Sequence, residues 1–130
     1  MAPAILFRAR VVQMHTLRPG ESTGYGARFK VDSKNKEPVR VAIISAGYAD
    51  GIPRTLSDTG FCRIADSPAK FAGTVSMDLF AAVCTGPAKV GDWVDILSPE
   101  IDLWEQAKAA QTLPYELFTA ISARVERYYE

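Results

Sequence analysis

Val39-Arg40-Val41-Ala42-Ile43-Ile44-Ser45-Ala46 is an apolar run interrupted only by Arg40 and Ser45, and it ends in Gly47-Tyr48-Ala49-Asp50-Gly51. A run of this length and β-branched content predicts a central strand buried on both faces. Upstream, Ala27, Phe29 and Val31 alternate with Arg28, Lys30 and Asp32, the cleanest period of two in the chain, and a polar turn over residues 33–38 separates the two segments. Further upstream, Phe7, Ala9 and Val11 alternate with Leu6, Arg8 and Arg10, which predicts a half-buried strand from Ile5. That pattern slips over residues 13–17, as at a bulge or a strand end, before the Arg18-Pro19-Gly20 turn. Downstream, Asp50-Gly51 would make a hairpin turn, but Ile52-Pro53-Arg54 stands where the return strand should begin, so a longer loop is expected. Residues 61–65 and 70–75 read as a hairpin around Asp66-Ser67-Pro68, followed by strands over 79–84 and 93–97. About seven or eight short strands at regular spacing predict a mainly β fold, a small β-barrel that is closed or nearly closed.

One helical insertion is expected near residues 102–122. Asp102 and Glu105 stand at N-cap and N3 spacing of a helix running to about Gln111, and Pro114 suits the first turn of a second short helix that packs Leu117, Phe118 and Ile121. The tail over 123–129 reads as a last strand. A chain of 130 residues fits one domain with a real core, and 15 basic against 15 acidic side chains leave no electrostatic footprint for nucleic acid or a membrane surface. Nothing is long and apolar enough to span a bilayer and no signal-peptide pattern opens the chain, so a cytoplasmic location is expected. Cys62 and Cys84 lack metal-ligand spacing and a neighbouring histidine and read as buried thiols, with no metal expected. His15, the single histidine, has no partner in sequence that would give it a catalytic role.

The chemistry-bearing residues lie at element ends. Tyr25, between Gly24 and Gly26, is placed where backbone freedom can project a phenol outward, and a phenol can donate a hydrogen bond or, ionised, act as a base. A turn aromatic covering a barrel end would use the same six residues 22–27. Tyr48 in its glycine-flanked loop, Asp78 beside Met77, and Tyr115 beside Glu116 recur in the same way and could build one polar face on a rigid scaffold. Each also has a structural reading: Tyr48 packed under its loop, Met77 a core filler, Asp78 a turn residue.

Five motifs in order carry a resemblance. Glu21-Ser22-Thr23-Gly24-Tyr25-Gly26-Ala27, Gly47-Tyr48-Ala49-Asp50-Gly51-Ile52-Pro53-Arg54, Gly73-Thr74-Val75-Ser76-Met77-Asp78, Lys89-Val90-Gly91-Asp92 and Pro114-Tyr115-Glu116 closely resemble the C-terminal domain of bacterial alanine racemase. The resemblance runs from Leu6 to Tyr129. It implies that residues 1–130 are the C-terminal β domain of an enzyme whose N-terminal (β/α) barrel, absent from this chain, binds pyridoxal 5'-phosphate on a lysine, so that no cofactor is expected on this domain alone. It implies interconversion of L- and D-alanine by two-base proton transfer, supplying D-alanine for peptidoglycan, in a head-to-tail homodimer. Tyr25 matches the catalytic tyrosine that acts on the partner subunit's site. Tyr48 and Arg54 match residues of the substrate access corridor, Tyr48, Met77 and Asp78 match residues of the substrate region, and Tyr115 matches the tyrosine that bonds the cofactor phosphate.

Racemisation removes the Cα proton from one face and returns it on the other, which explains two flanking acid/base groups. A phenol ionises at about pH 10 and needs a neighbouring cation to act as a base near neutrality, a cation the partner barrel would supply. Two positions depart from the family pattern: Thr74 stands where arginine is usual, and Glu126 where proline is common. The first allows a racemase of broader amino-acid specificity. A stand-alone β-barrel interaction module without catalysis is the alternative of a different class.

Overall fold

The computed structural model describes residues 6–21, 37–98, 101–112, 116–117 and 121, and the strands expected over 27–32 and 123–129 lie outside them, as do Pro114 and Phe118. Among the described residues the strands are β1 (Phe7–Leu17), β2 (Val39–Ile44), β3 (Phe61–Ile64), β4 (Ser67–Ala72), β5 (Phe80–Cys84) and β6 (Trp93–Leu97), with one helix, α1 (Leu103–Ala109). They close into an antiparallel barrel in the order β1-β2-β5-β4-β3-β6.

β1 is a strand throughout because its slip in pattern is a bulge. Val11 pairs with Ile44 and Gln13 with Ile43, so Val12 is an extra residue. One added residue reverses which side chains face inward. Phe7, Ala9 and Val11 are buried before it, and Met14 packs on the same core after it. β2 is buried on both faces, as its apolar run predicts. Ala42 and Ile44 join the barrel interior, while Val41 and Ile43 form a second cluster with Leu17, Ala72 and Ala81 on the opposite side of the strands. Inside, Phe71 and Phe80 stack with ring centroids 4.2 Å apart.

The β3–β4 hairpin turns earlier than the sequence suggests. Ala65 and Asp66 both have positive φ (47° and 67°), a two-residue hairpin turn, and Ser67 and Pro68 belong to β4 opposite Ile64 and Arg63. Pro68 lacks an amide donor, and it fits because β4 pairs with β5 only from Ala69 onward. Its carbonyl accepts the Thr85 hydroxyl at 2.8 Å.

The barrel closes at a short seam, where β3 meets β6 through two residue pairs, Arg63 with Asp95 and Ile64 with Val94. β6 also carries an extra residue, because Phe7 pairs with Leu97 and Arg8 with Asp95. The helix completes this seam. Gln106, fully buried, accepts the Phe61 amide at 2.8 Å and donates to the Phe61 carbonyl at 2.6 Å and to the bulged Ile96 carbonyl at 3.3 Å. α1 starts at the expected cap, where Asp102 Oδ1 accepts the Trp104 and Glu105 amides. Glu116 and Leu117 are helical as expected of the second turn, and Leu117 is buried in the core.

On the outer face of β1 and β6, Trp93 is 47% exposed, with the Arg10 guanidinium 3.9 Å from its ring centroid and Arg8 paired to Asp95 at 2.8 Å. These arginines are satisfied within the domain. Cys62 is buried and Cys84 partly so, both as free thiols, and His15 bonds Gln13 at 3.2 Å on the surface of β1. Among the described residues no helix is long and apolar enough to cross a membrane, and no cluster of metal-ligating side chains occurs.

Candidate functional site

β2 ends and β5 begins at the same end of the barrel, because Ile44 pairs with Phe80. The loops that continue from these two ends therefore meet there. After β2, Gly47 leads into a one-turn 3₁₀ helix, Tyr48–Asp50, and a second one, Arg54–Leu56, follows Pro53. Neither a return strand nor a hairpin forms, as Pro53 implies. Tyr48 N–H donates to the Ser76 carbonyl at 2.9 Å and Ala49 N–H to the Met77 carbonyl at 3.0 Å, so the loop is bonded edge-on to the segment before β5.

Gly47 makes this approach possible. A Cβ at that position would collide with the Ser76 and Met77 carbonyl oxygens. Gly51 serves differently: its φ of 107° is left-handed and closes the 3₁₀ turn, with its N–H bonded to the Tyr48 carbonyl. The contact continues below the second turn. Val75 N–H donates to Ser57 Oγ at 2.9 Å, Gly73 N–H to Asp58 Oδ1 at 2.6 Å, and Asp58 N–H back to the Gly73 carbonyl at 3.0 Å. Segments 47–58 and 73–77 thus form a single ledge on the barrel rim.

The ledge brings together Tyr48, Arg54 and Met77 of the residues singled out from sequence, with Asp78 at its end. Tyr48 is 45% and Met77 53% exposed, so neither has the buried structural role open to it from sequence alone. The Arg54 guanidinium lies 5.5 Å from the Tyr48 ring centroid, a cation–π contact across the first turn of the ledge. Asp78 is exposed and Thr74 half-buried beside the Gly73 bond. Tyr25 and Tyr115 lie outside the described residues. Ser57 and Asp58, which sequence reading passed over, prove structural to the ledge, and so does Asp50, which the sequence offered only as part of a turn signal and a motif. Asp58 adopts φ 61°, but its partner Gly73 is 15 residues along the chain and no local pattern points to it.

The arrangement offers a phenol, a guanidinium, a thioether and a carboxylate on an open rim. Pyridoxal phosphate attaches to proteins through an amine, and none of Tyr48, Arg54, Met77 and Asp78 carries one. The donor set does not provide the attachment point of such a cofactor.

A closed six-strand antiparallel barrel with a polar ledge on one rim defines a small β domain. The family described as alanine racemase, C-terminal domain, matches residues 4–129, and this chain belongs to that family. The biosynthetic alanine racemase of Pseudomonas aeruginosa is 36% identical over 131 residues, covering 99% of this chain and 36% of that protein. The alanine racemase of Brucella canis is 34% identical, covering 98% of this chain and 32% of that protein. Among solved structures, the P. aeruginosa biosynthetic enzyme superposes with a TM-score of 0.84 at 35% identity, over 96% of this chain and 34% of that one. Alanine racemase of Bartonella henselae with covalently bound pyridoxal phosphate gives a TM-score of 0.82 at 30% identity, over 95% of this chain and 34% of that one. The chain spans about a third of the length of the relatives it matches.

Proposed function

We propose that this chain acts as the C-terminal domain of a pyridoxal-phosphate-dependent alanine racemase, a cytoplasmic head-to-tail homodimer that supplies D-alanine for peptidoglycan. The observation that carries this reading is the family match over residues 4–129, supported by a ledge that gathers Tyr48, Arg54 and Met77, which the sequence resemblance puts on the substrate side. When bound, the cofactor acidifies the substrate Cα–H by delocalising the electrons left behind. The residues of this chain supply the protein side of the reaction. The Tyr25 phenolate oxygen takes the Cα proton from one face, or its phenol returns a proton there, while a lysine of the N-terminal barrel serves the other face. Tyr48 and Arg54 line the access corridor, Arg54 adding positive charge that draws in a carboxylate. Met77 and Asp78 border the substrate region, and Tyr115 hydrogen-bonds the cofactor phosphate. Thr74 in place of the usual arginine removes a corridor charge and favours a wider range of small amino-acid substrates.

In the full-length racemase, Tyr25→Phe is expected to suppress Cα–deuterium exchange in D₂O from one alanine enantiomer far more than from the other. Equal loss of racemisation in both directions with unchanged exchange from each enantiomer would show that Tyr25 only binds. The 130-residue chain alone, given pyridoxal phosphate and L-alanine, is expected to form no D-alanine.

A further inference from the structure

Tyr48 and Met77 are about half exposed, so packing against a core does not hold them. Their positions follow from the backbone that carries them, and that backbone lies outside the strand ladders. The bonds that fix it are those between segments 47–58 and 73–77. At the upper end, Asp50 Oδ2 accepts the Gly47 N–H at 3.0 Å while Asp50 N–H donates to the Gly47 carbonyl at 3.0 Å. This reciprocal pair closes the turn and aims the Tyr48 and Ala49 amides at Ser76 and Met77. At the lower end, Asp58 and Gly73 form a second reciprocal pair, at 2.6 and 3.0 Å, and Ser57 Oγ both accepts the Val75 amide and donates to the Arg54 carbonyl at 2.6 Å. Arg54 is carried between the two.

We propose that Asp50 and Asp58 are positioning residues, whose carboxylates lock these two segments into one rigid ledge and so fix the spacing of Tyr48, Arg54 and Met77 at the mouth of the substrate site. This rests on the racemase reading for the word substrate, but the ledge itself does not. A fixed spacing excludes side chains larger than the site is cut for, so the two carboxylates contribute to substrate selection without touching substrate.

Two measurements test it. In the 130-residue chain, amide hydrogen exchange is followed in Asp50→Ala and Asp58→Gly, with Asp50→Asn and Asp58→Asn as variants that keep an acceptor oxygen. Glycine at 58 removes the acceptor and leaves the left-handed backbone unstrained. Protection at residues 47–49 in the first variant, and at 73–75 in the second, is expected to fall about tenfold, the factor that accompanies loss of one hydrogen bond, while residues 41–44 of β2 keep theirs. In the full-length racemase, the same variants are expected to raise KM for alanine about tenfold with kcat little changed, and to raise serine turnover relative to alanine, with the asparagine variants restoring both.

Unchanged protection in Asp50→Ala and Asp58→Gly would overturn the lock. Lost protection with unmoved KM and serine-to-alanine ratio would overturn its role in selection, while leaving the racemase reading intact. If the wild-type full-length protein racemises no amino acid, the racemase reading fails instead, and the exchange data alone then decide whether the carboxylates form the ledge.

Discussion

At the scale of single residues, two glycines do opposite jobs. Gly47 has an ordinary extended backbone, φ −149°, so any side chain could adopt its conformation, and what forbids one is the space taken by the Ser76 and Met77 carbonyls. Gly91 has nothing within 4 Å of an added Cβ, and its φ of 96° is the constraint. Gly47→Ala must therefore push the ledge apart, straining the contact and weakening the Tyr48–Ser76 and Ala49–Met77 bonds, for an expected loss of about 2–4 kcal/mol. Gly91→Ala should cost about 1–2 kcal/mol through backbone strain alone. Urea unfolding of both variants reads the difference, and a Gly91 variant as destabilised as the Gly47 variant would contradict the distinction. The same pairing separates what sequence could say about the site from what it could not. The resemblance marks Tyr48, Arg54 and Met77, but the carbonyls that make Gly47 necessary come from residues 76 and 77. No local pattern names them.

At the scale of elements, alternation and turn spacing point to the strands and to a closed barrel, but not to the contacts that seal its seam. Phe7, Ala9 and Val11 predicted the buried face of β1, and the slip at Gln13 is the bulge at Val12, because inward and outward residues are fixed by the pleat. The turn before Ser67 was misplaced because Pro68 looked like a turn residue, when its missing amide merely restricts it to a position with no second neighbour. Gln106 was invisible for a different reason. A glutamine on a short helix looks like a surface residue, yet this one is fully buried and takes the place of a strand at the β3–β6 seam. Gln106→Ala leaves the Phe61 amide and carbonyl and the Ile96 carbonyl without that partner. Unsatisfied buried groups of this kind cost about 1–3 kcal/mol each, tempered by water that can reach Phe61. We expect a total loss of about 3 kcal/mol in denaturant unfolding and faster amide exchange at Phe61. Gln106→Glu, which keeps an acceptor for Phe61 N–H but loses the donor, should not rescue it.

At the scale of the whole molecule, the closed barrel excludes water from its centre, and the thiols report that. Cys62 projects into the interior, where burial pushes its thiol pKa well above the ordinary cysteine range, with Cys84 and Asp95 adding to the rise. Cys84 is raised by burial as well, against a lowering influence from Arg40. A thiol held neutral in the folded state but free to ionise when unfolded favours folding fully below pH 9, and that contribution is lost as pH rises above it. The sign follows because, above pH 9, the unfolded chain binds fewer protons than the folded one. For Cys62 the loss between pH 8 and pH 10 is on the order of 1 kcal/mol, the free energy of about one pH unit beyond the unfolded pKa. Lysines and tyrosines titrate in the same range, so the comparison is with Cys62→Ala. The variant starts less stable because of its cavity, but its stability should fall less steeply from pH 8 to pH 10 by that amount. In the folded wild type, Cys62 should also stay unreactive toward a thiol reagent at pH 8, when the unfolded chain reacts at both cysteines. Parallel pH profiles for wild type and Cys62→Ala, or rapid labelling of Cys62 in the folded chain, would mean that water reaches the centre of the barrel and that the six strands do not form the closed wall on which the ledge is mounted.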